Sequence, residues 1–111
     1  MDLYEQIQQK IKELEISIKS LRKTGTAFAE AERDYKVKLA EEALRLRDSG
    51  MAVGMIDKVC YGLQSVSTLR FKRDVADAVY KANLEAINSL KLQLRLLDAQ
   101  LSREWGANLS D

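Results

Sequence analysis

GMAVGMIDKVCYG, residues 50–62, holds three of the five glycines in a chain of 111 residues that contains no proline. Charged, helix-favouring sequence runs into it on one side and out of it on the other. Glycine permits positive φ, so the stretch reads as the bend between two helical arms. It also has a second reading, as a loop that grips a ligand. Around Met55–Tyr61 a short helical turn is predicted, bounded by Gly54 and Gly62.

Upstream, Tyr4, Ile7, Ile11, Leu14, Ile18 and Leu21 follow alternating three- and four-residue steps, the heptad seam of a coiled coil. A helix over about 3–23 is predicted from them. Thr24-Gly25-Thr26 interrupts the pattern, either breaking the helix or kinking one longer arm. No loop-like sequence separates the halves, which favours a kink or a one-residue break. Phe28, Ala31, Tyr35, Leu39, Ala43 and Leu46 then share one face of a second stretch, about 26–49. Glu41 and Arg45 suit an i,i+4 ion pair, and Gly50 suits the residue just past the helix end.

Downstream, Ser65 or Ser67 can cap a long helix over about 65–105, with Gly106 as its stop. Roughly 40 residues at ~1.5 Å each span ~60 Å, and the two upstream stretches end to end cover a similar distance. A single all-α domain over 1–111 follows: a long antiparallel, coiled-coil-like hairpin with its first arm kinked near Gly25 and its connector at about 50–64. A three-helix bundle with a sharp turn at Gly25 would leave the last helix overhanging by several turns.

The last helix has apolar residues on two sides. Ile87, Leu90, Leu94, Leu97 and Leu101 form one seam, continued by Trp105. In LKLQLRLL (90–97), Leu92 and Leu96 fall on the opposite side, and Ala99 joins them. Local alternation also fits a strand, but the segment lies within some 40 residues that lack any turn signal. One hairpin partner cannot cover both sides, so homo-oligomerisation through Leu92, Leu96 and Ala99 is expected.

Composition narrows the chemistry. Histidine is absent, which removes His-based triads, His-containing zinc sites and the Glu-x-x-His pairs of di-iron bundles. Net charge is +1, unlike a general polyanion binder, so nucleic acid is not an expected partner. Cys60 is the lone cysteine, which points to a reducing, cytoplasmic setting and a small apolar filler beside Val59. No apolar run approaches the ~20 residues of a membrane span, and MDLYEQIQQK does not resemble a secretory leader.

Three constellations are candidates for a site. Gly54 lacks the spacing and the Ser/Thr after its lysine that a phosphate-wrapping P-loop requires. Lys58 and Tyr61, however, lie shortly before Arg70 and Arg73, near a helix start. There an anion such as a nucleotide phosphate could be held, with Tyr61 stacking on a base. Glu41-Glu42 and Asp74-x-x-Asp77 do not complete a metal set, because Arg45 stands where a third glutamate is needed; a solvated charge lattice is the simpler reading. No catalytic residue, metal ligand or cofactor is expected, and the chain reads as a non-enzyme.

YKVKLAEEALRLRDSGMAVGMIDKVCYG (35–62) and LRFKRDVADAVYKANLEAINSLKLQLRLLDAQLSREWG (69–106) resemble small all-helical proteins encoded by phages and prophages of Gram-positive bacteria. The shared features are a helix ending in LR-x-x-G, a short connector, an LRF-x-R helix start and an REW-like end. Residues from about Phe28 to Gly106 are covered; the connector departs from the pattern at Ala52 and Cys60-Tyr61. The resemblance implies a phage origin, a helical fold and a location in the host cytoplasm. It leads to an expected function: an oligomeric protein that counters host defence by binding a host protein or sequestering a nucleotide signal. The alternative is an accessory role in phage DNA replication or recombination.

Overall fold

A computed structural model describes residues 1–110, and the described chain is all helical. Three α-helices follow one another: α1 (Leu3–Asp48), α2 (Val53–Gly62) and α3 (Gln64–Ser110). Asp2 caps α1, its Oδ1 accepting from the Glu5 backbone N–H at 2.7 Å. At the other end Gly50 takes φ 89°, and the Gly50 and Met51 N–H groups donate to the Arg47 and Leu46 carbonyls. That is a Schellman closure, and it needs glycine because an L side chain strains at this φ. A single extended residue, Leu63, separates α2 from α3.

Several sequence expectations are corrected. Of the two alternatives at Gly25, a break between helices over 3–23 and 26–49 or one longer arm, α1 takes the second and runs through Gly25. A Cβ at Gly25 would sit 3.8 Å from the Tyr80 ring, ordinary contact, so this glycine is tolerated in helix and signals no turn. Gly106 likewise lies inside α3 and does not end it at 105. The short helical turn expected around Met55–Tyr61 is present and longer, α2 occupying most of the connector over 50–64. Ile56, Val59, Cys60 and Leu63 follow an i, i+3, i+4, i+7 pattern, and α2 buries Ile56 and Cys60. Neither Ser65 nor Ser67 is the cap: α3 begins before both, and Ser67 Oγ donates to the Gln64 carbonyl. Glu41 pairs with Lys38 and Arg45 with Glu42, so the expected Glu41–Arg45 pair gives way to two i,i+3 contacts.

Contacts within the chain group into two units, because long helices touch only locally along their lengths. One comprises Thr24–Tyr80 and the other Met1–Lys23 with Lys81–Asp111. In the first, all three helices contribute to a core of Tyr35, Leu46, Ile56, Cys60 and Val66, flanked by Leu39, Ala43, Met51, Val59, Leu63 and Leu69. Phe28 stacks on Tyr80 with ring centroids 6.0 Å apart and Tyr35 meets Arg73, so α1 and α3 run antiparallel there.

In the second unit α1 and α3 pair antiparallel, and Asn83 Nδ2 donates to the Ser17 carbonyl at 2.9 Å. Its interior includes the buried Ile87 and Leu90. The expected α1 seam is displaced here. Four of its six residues, Ile7, Ile11, Leu14 and Leu21, are half-buried, but Tyr4 and Ile18 are 64% and 48% exposed, and Leu3, Lys10 and Ser17 are half-buried in addition. Lys10 can occupy such a position because its aliphatic stem covers apolar surface while its amine meets Glu13 at 3.2 Å. Trp105 does not continue the buried seam and is 62% exposed.

Candidate functional site

The candidate anion-binding residues around the bend lie in the unit of 24–80 and separate into two settings. Tyr61, at the end of α2, and Arg70, in the second turn of α3, come together. Arg70 Nη1 donates to the Tyr61 carbonyl at 2.8 Å, and its guanidinium carbon lies 3.6 Å from the Tyr61 ring centroid. This stack ties α2 to α3 across Leu63 and occupies a face of the ring that a base would use. Arg73 faces elsewhere. Its guanidinium lies over Tyr35 of α1 at 4.5 Å and pairs with Asp74 at 2.9 Å. Lys58 is exposed on α2. Tyr61 and Arg70 thus form a pair, and Arg73 joins the Tyr35 core.

In the sequence Tyr35 stands out only as a seam residue. Its role as the aromatic bed for Arg73 depends on a contact spanning 38 positions of chain, which no local pattern encodes.

Cys60 is 1% exposed, and its Sγ lies 3.5 Å from the Leu39 carbonyl. Burial pushes its thiol above the ordinary range, and the Glu42 and Asp57 carboxylates push the same way. A thiol held neutral and inaccessible is a packing group. Three acidic residues near the bend are engaged: Glu41 with Lys38 at 3.3 Å, Glu42 with Arg45 at 2.7 Å, and Asp74 with Arg73. Among the described residues no group of three or more His, Cys, Asp or Glu side chains is placed to hold a metal ion. No helix among them is long and apolar enough to cross a membrane.

Exposed apolar side chains are the more prominent feature. In the unit of 24–80, Phe71, Val75 and Val79 stand one α-helical turn apart on α3, 71%, 46% and 50% exposed. Their spacing puts them on the side of α3 turned away from Val66, Leu69 and Arg73. In the other unit Leu92 and Leu96 are 52% and 62% exposed, and Ala99 is exposed too. Leu96 and Leu97 also line an open groove of ≈ 270 Å³ with Gln6, Lys10 and Gln93. The Phe71–Val75–Val79 row is visible in the sequence as an i, i+4, i+8 repeat, but it is masked there by the basic run that surrounds Phe71.

No protein-family model, curated protein or solved structure matches the chain.

Proposed function

We propose that this chain is a non-enzymatic, self-associating helical protein of phage type that counters host defence by docking on a host protein in the bacterial cytoplasm. The observation that carries the docking reading is the row Phe71, Val75 and Val79, an aromatic and two β-branched side chains left exposed on a rigid helix. Contiguous apolar rows of this kind mark sites of protein contact. The phage setting rests on the resemblance carried by residues 28–106. The non-enzymatic reading draws on the absence of histidine, the pairing of the carboxylates and the buried thiol.

Docking of a protein is favoured over capture of a nucleotide signal because Arg70 and Arg73 are already engaged by Tyr61, Tyr35 and Asp74. It is favoured over a DNA-processing role because a net charge of +1 supplies little of the phosphate attraction on which such proteins rely. The test compares host proteins retained by immobilised wild type and by Phe71→Asp with Val75→Asp, alongside calorimetric titration of cyclic and linear nucleotides. A host protein held by the wild type and lost by the variant is the expected result. Equal retention by both, or heat from a nucleotide that Arg70→Ala abolishes, would contradict the reading.

A further inference from the structure

The heptad positions of the unit formed by 1–23 and 81–111 show where its apolar surface points. Along α1 the positions turned toward α3 are Leu3, Ile7, Lys10, Leu14, Ser17 and Leu21, all half-buried. Two of these six are polar. The next position round the helix, following each of Leu3, Lys10 and Ser17, carries Tyr4, Ile11 and Ile18. At ~100° per residue, the centre of the apolar stripe lies roughly 50° away from the line that α3 covers. A strict two-per-heptad seam suits a pair of helices, whereas this wider stripe suits a helix that has a further neighbour.

The equivalent flank of α3 carries Leu84, Lys91 and Asp98, each one residue beyond the inward-facing Asn83, Leu90 and Leu97. In an antiparallel pair the two flanks lie on the same side. The Asn83–Ser17 contact sets the register, placing Ile18 level with Leu84, Ile11 with Lys91 and Tyr4 with Asp98. Ile18 and Leu84 are 48% and 37% exposed and Tyr4 64%, while Ile11 between them is half-buried, so the flank is open at both ends and partly covered at its middle.

We infer that a second copy of this chain covers that flank, two helix pairs forming an antiparallel four-helix bundle about a two-fold axis parallel to the helices. Such an axis preserves height along the helices, so the α1 row of each copy meets the α3 row of the other. Ile18 then packs on Leu84 of the second copy, and Ile11 lies along the aliphatic stem of Lys91. The Tyr4 phenol donates to the Asp98 carboxylate. Every member of both rows gains a chemically matched partner, and each contact is made twice. Charge allows a like partner as well: the flank residues Tyr4, Ile11, Ile18, Leu84, Lys91 and Asp98 include one cation and one anion, which offset each other. Two nearly neutral surfaces meet without repulsion.

This deepens the self-association in the proposed function and assigns it to Tyr4, Ile11, Ile18 and Leu84 instead of Leu92, Leu96 and Ala99. Sedimentation equilibrium of the purified full chain tests it at ~1–50 µM, the range in which a micromolar dimer dissociates. The expected mass is twice the 12.6 kDa chain. Tyr4→Glu with Ile18→Glu is expected to give single chains with unchanged helix content by circular dichroism. Tyr4→Glu alone sets a carboxylate against Asp98 of the second copy and weakens association at least about tenfold. Adding Asp98→Lys to it restores the association. A wild type that is a single chain throughout, or a Tyr4→Glu, Ile18→Glu variant that associates as the wild type does, overturns the inference. So does dissociation by Leu92→Glu with Leu96→Glu alone, which would leave self-association standing on the outer face of α3. Binding of a host protein or nucleotide plays no part in the measurement, so its outcome is separate from that of the docking test.

Discussion

The two units are built from the same two helices yet differ in how fully they enclose an interior. In the unit of 24–80, α2 supplies a third wall, and Tyr35, Leu46, Ile56, Cys60 and Val66 are all less than a tenth exposed. In the unit of 1–23 and 81–111 only α1 and α3 meet, and the α1 positions facing α3 remain half-exposed. Two cylinders can bury a line of contact; three can bury a core. The short α2 therefore decides where the chain can stand alone. The other unit leaves Tyr4, Ile18 and Leu84 exposed along one flank, the surface that the inferred second copy would cover.

The comparison is broken most directly by deleting volume in each unit. Leu46→Ala removes a side chain that is 6% exposed and is expected to cost about 2–4 kcal/mol in urea unfolding. Leu94→Ala, at a half-buried position of the two-helix unit, should cost about 1 kcal/mol, measured at low protein concentration. Equal losses would mean that the two interiors are equally closed.

A smaller effect belongs to the closure that turns α1 into α2. Gly50→Ala should destabilise by about 1 kcal/mol because φ 89° strains any Cβ. Gly25→Ala should stabilise by about 0.5–1 kcal/mol, since its φ is helical and a methyl there meets only the Tyr80 ring edge at 3.8 Å. Opposite signs at two glycines of one chain, read from paired thermal melts, separate a turn glycine from a helix glycine.

Cys60 gives the smallest and most pH-dependent effect. Burial raises its folded-state pKa, with Glu42 and Asp57 adding to the shift. The unfolded chain therefore loses the thiol proton first as pH rises. The associated stability is fully present below the ordinary thiol pKa and is lost as pH climbs from there through the folded value. Cys60→Ala should flatten the fall in stability at alkaline pH, and native Cys60 should resist iodoacetamide at pH 8 until denaturant is added. Rapid labelling of the native protein would contradict the packing role.

Helical periodicity was legible because apolar residues recur at helical spacing along both long helices. Gly50 was legible as well, for it follows an Arg-rich last turn and precedes a new apolar pattern. Gly25 and Gly106 misled because a glycine lowers helix stability without ending a helix; α1 ends at Gly50 through a positive φ with backward hydrogen bonds, and α2 ends through the extended Leu63. The displaced seam was illegible in α1 alone. Apolarity centres the stripe on Tyr4, Ile11 and Ile18, while pairing with α3 draws in Lys10 and Ser17 through the stem of one and the carbonyl of the other. At the bend, sequence placed Tyr61 near Arg70 but could not show that their partners are each other, nor that Arg73 turns to Tyr35.

The central claim is that one unit is complete within a single chain and the other is completed by association. Native-state hydrogen exchange at several protein concentrations tests it residue by residue. Amides of 5–21 and 84–101 are expected to gain protection as concentration rises through the association range, while those of 35–46 and 56–70 hold constant. Protection that is independent of concentration in both units, or that rises only around Phe71–Val79, would contradict the account.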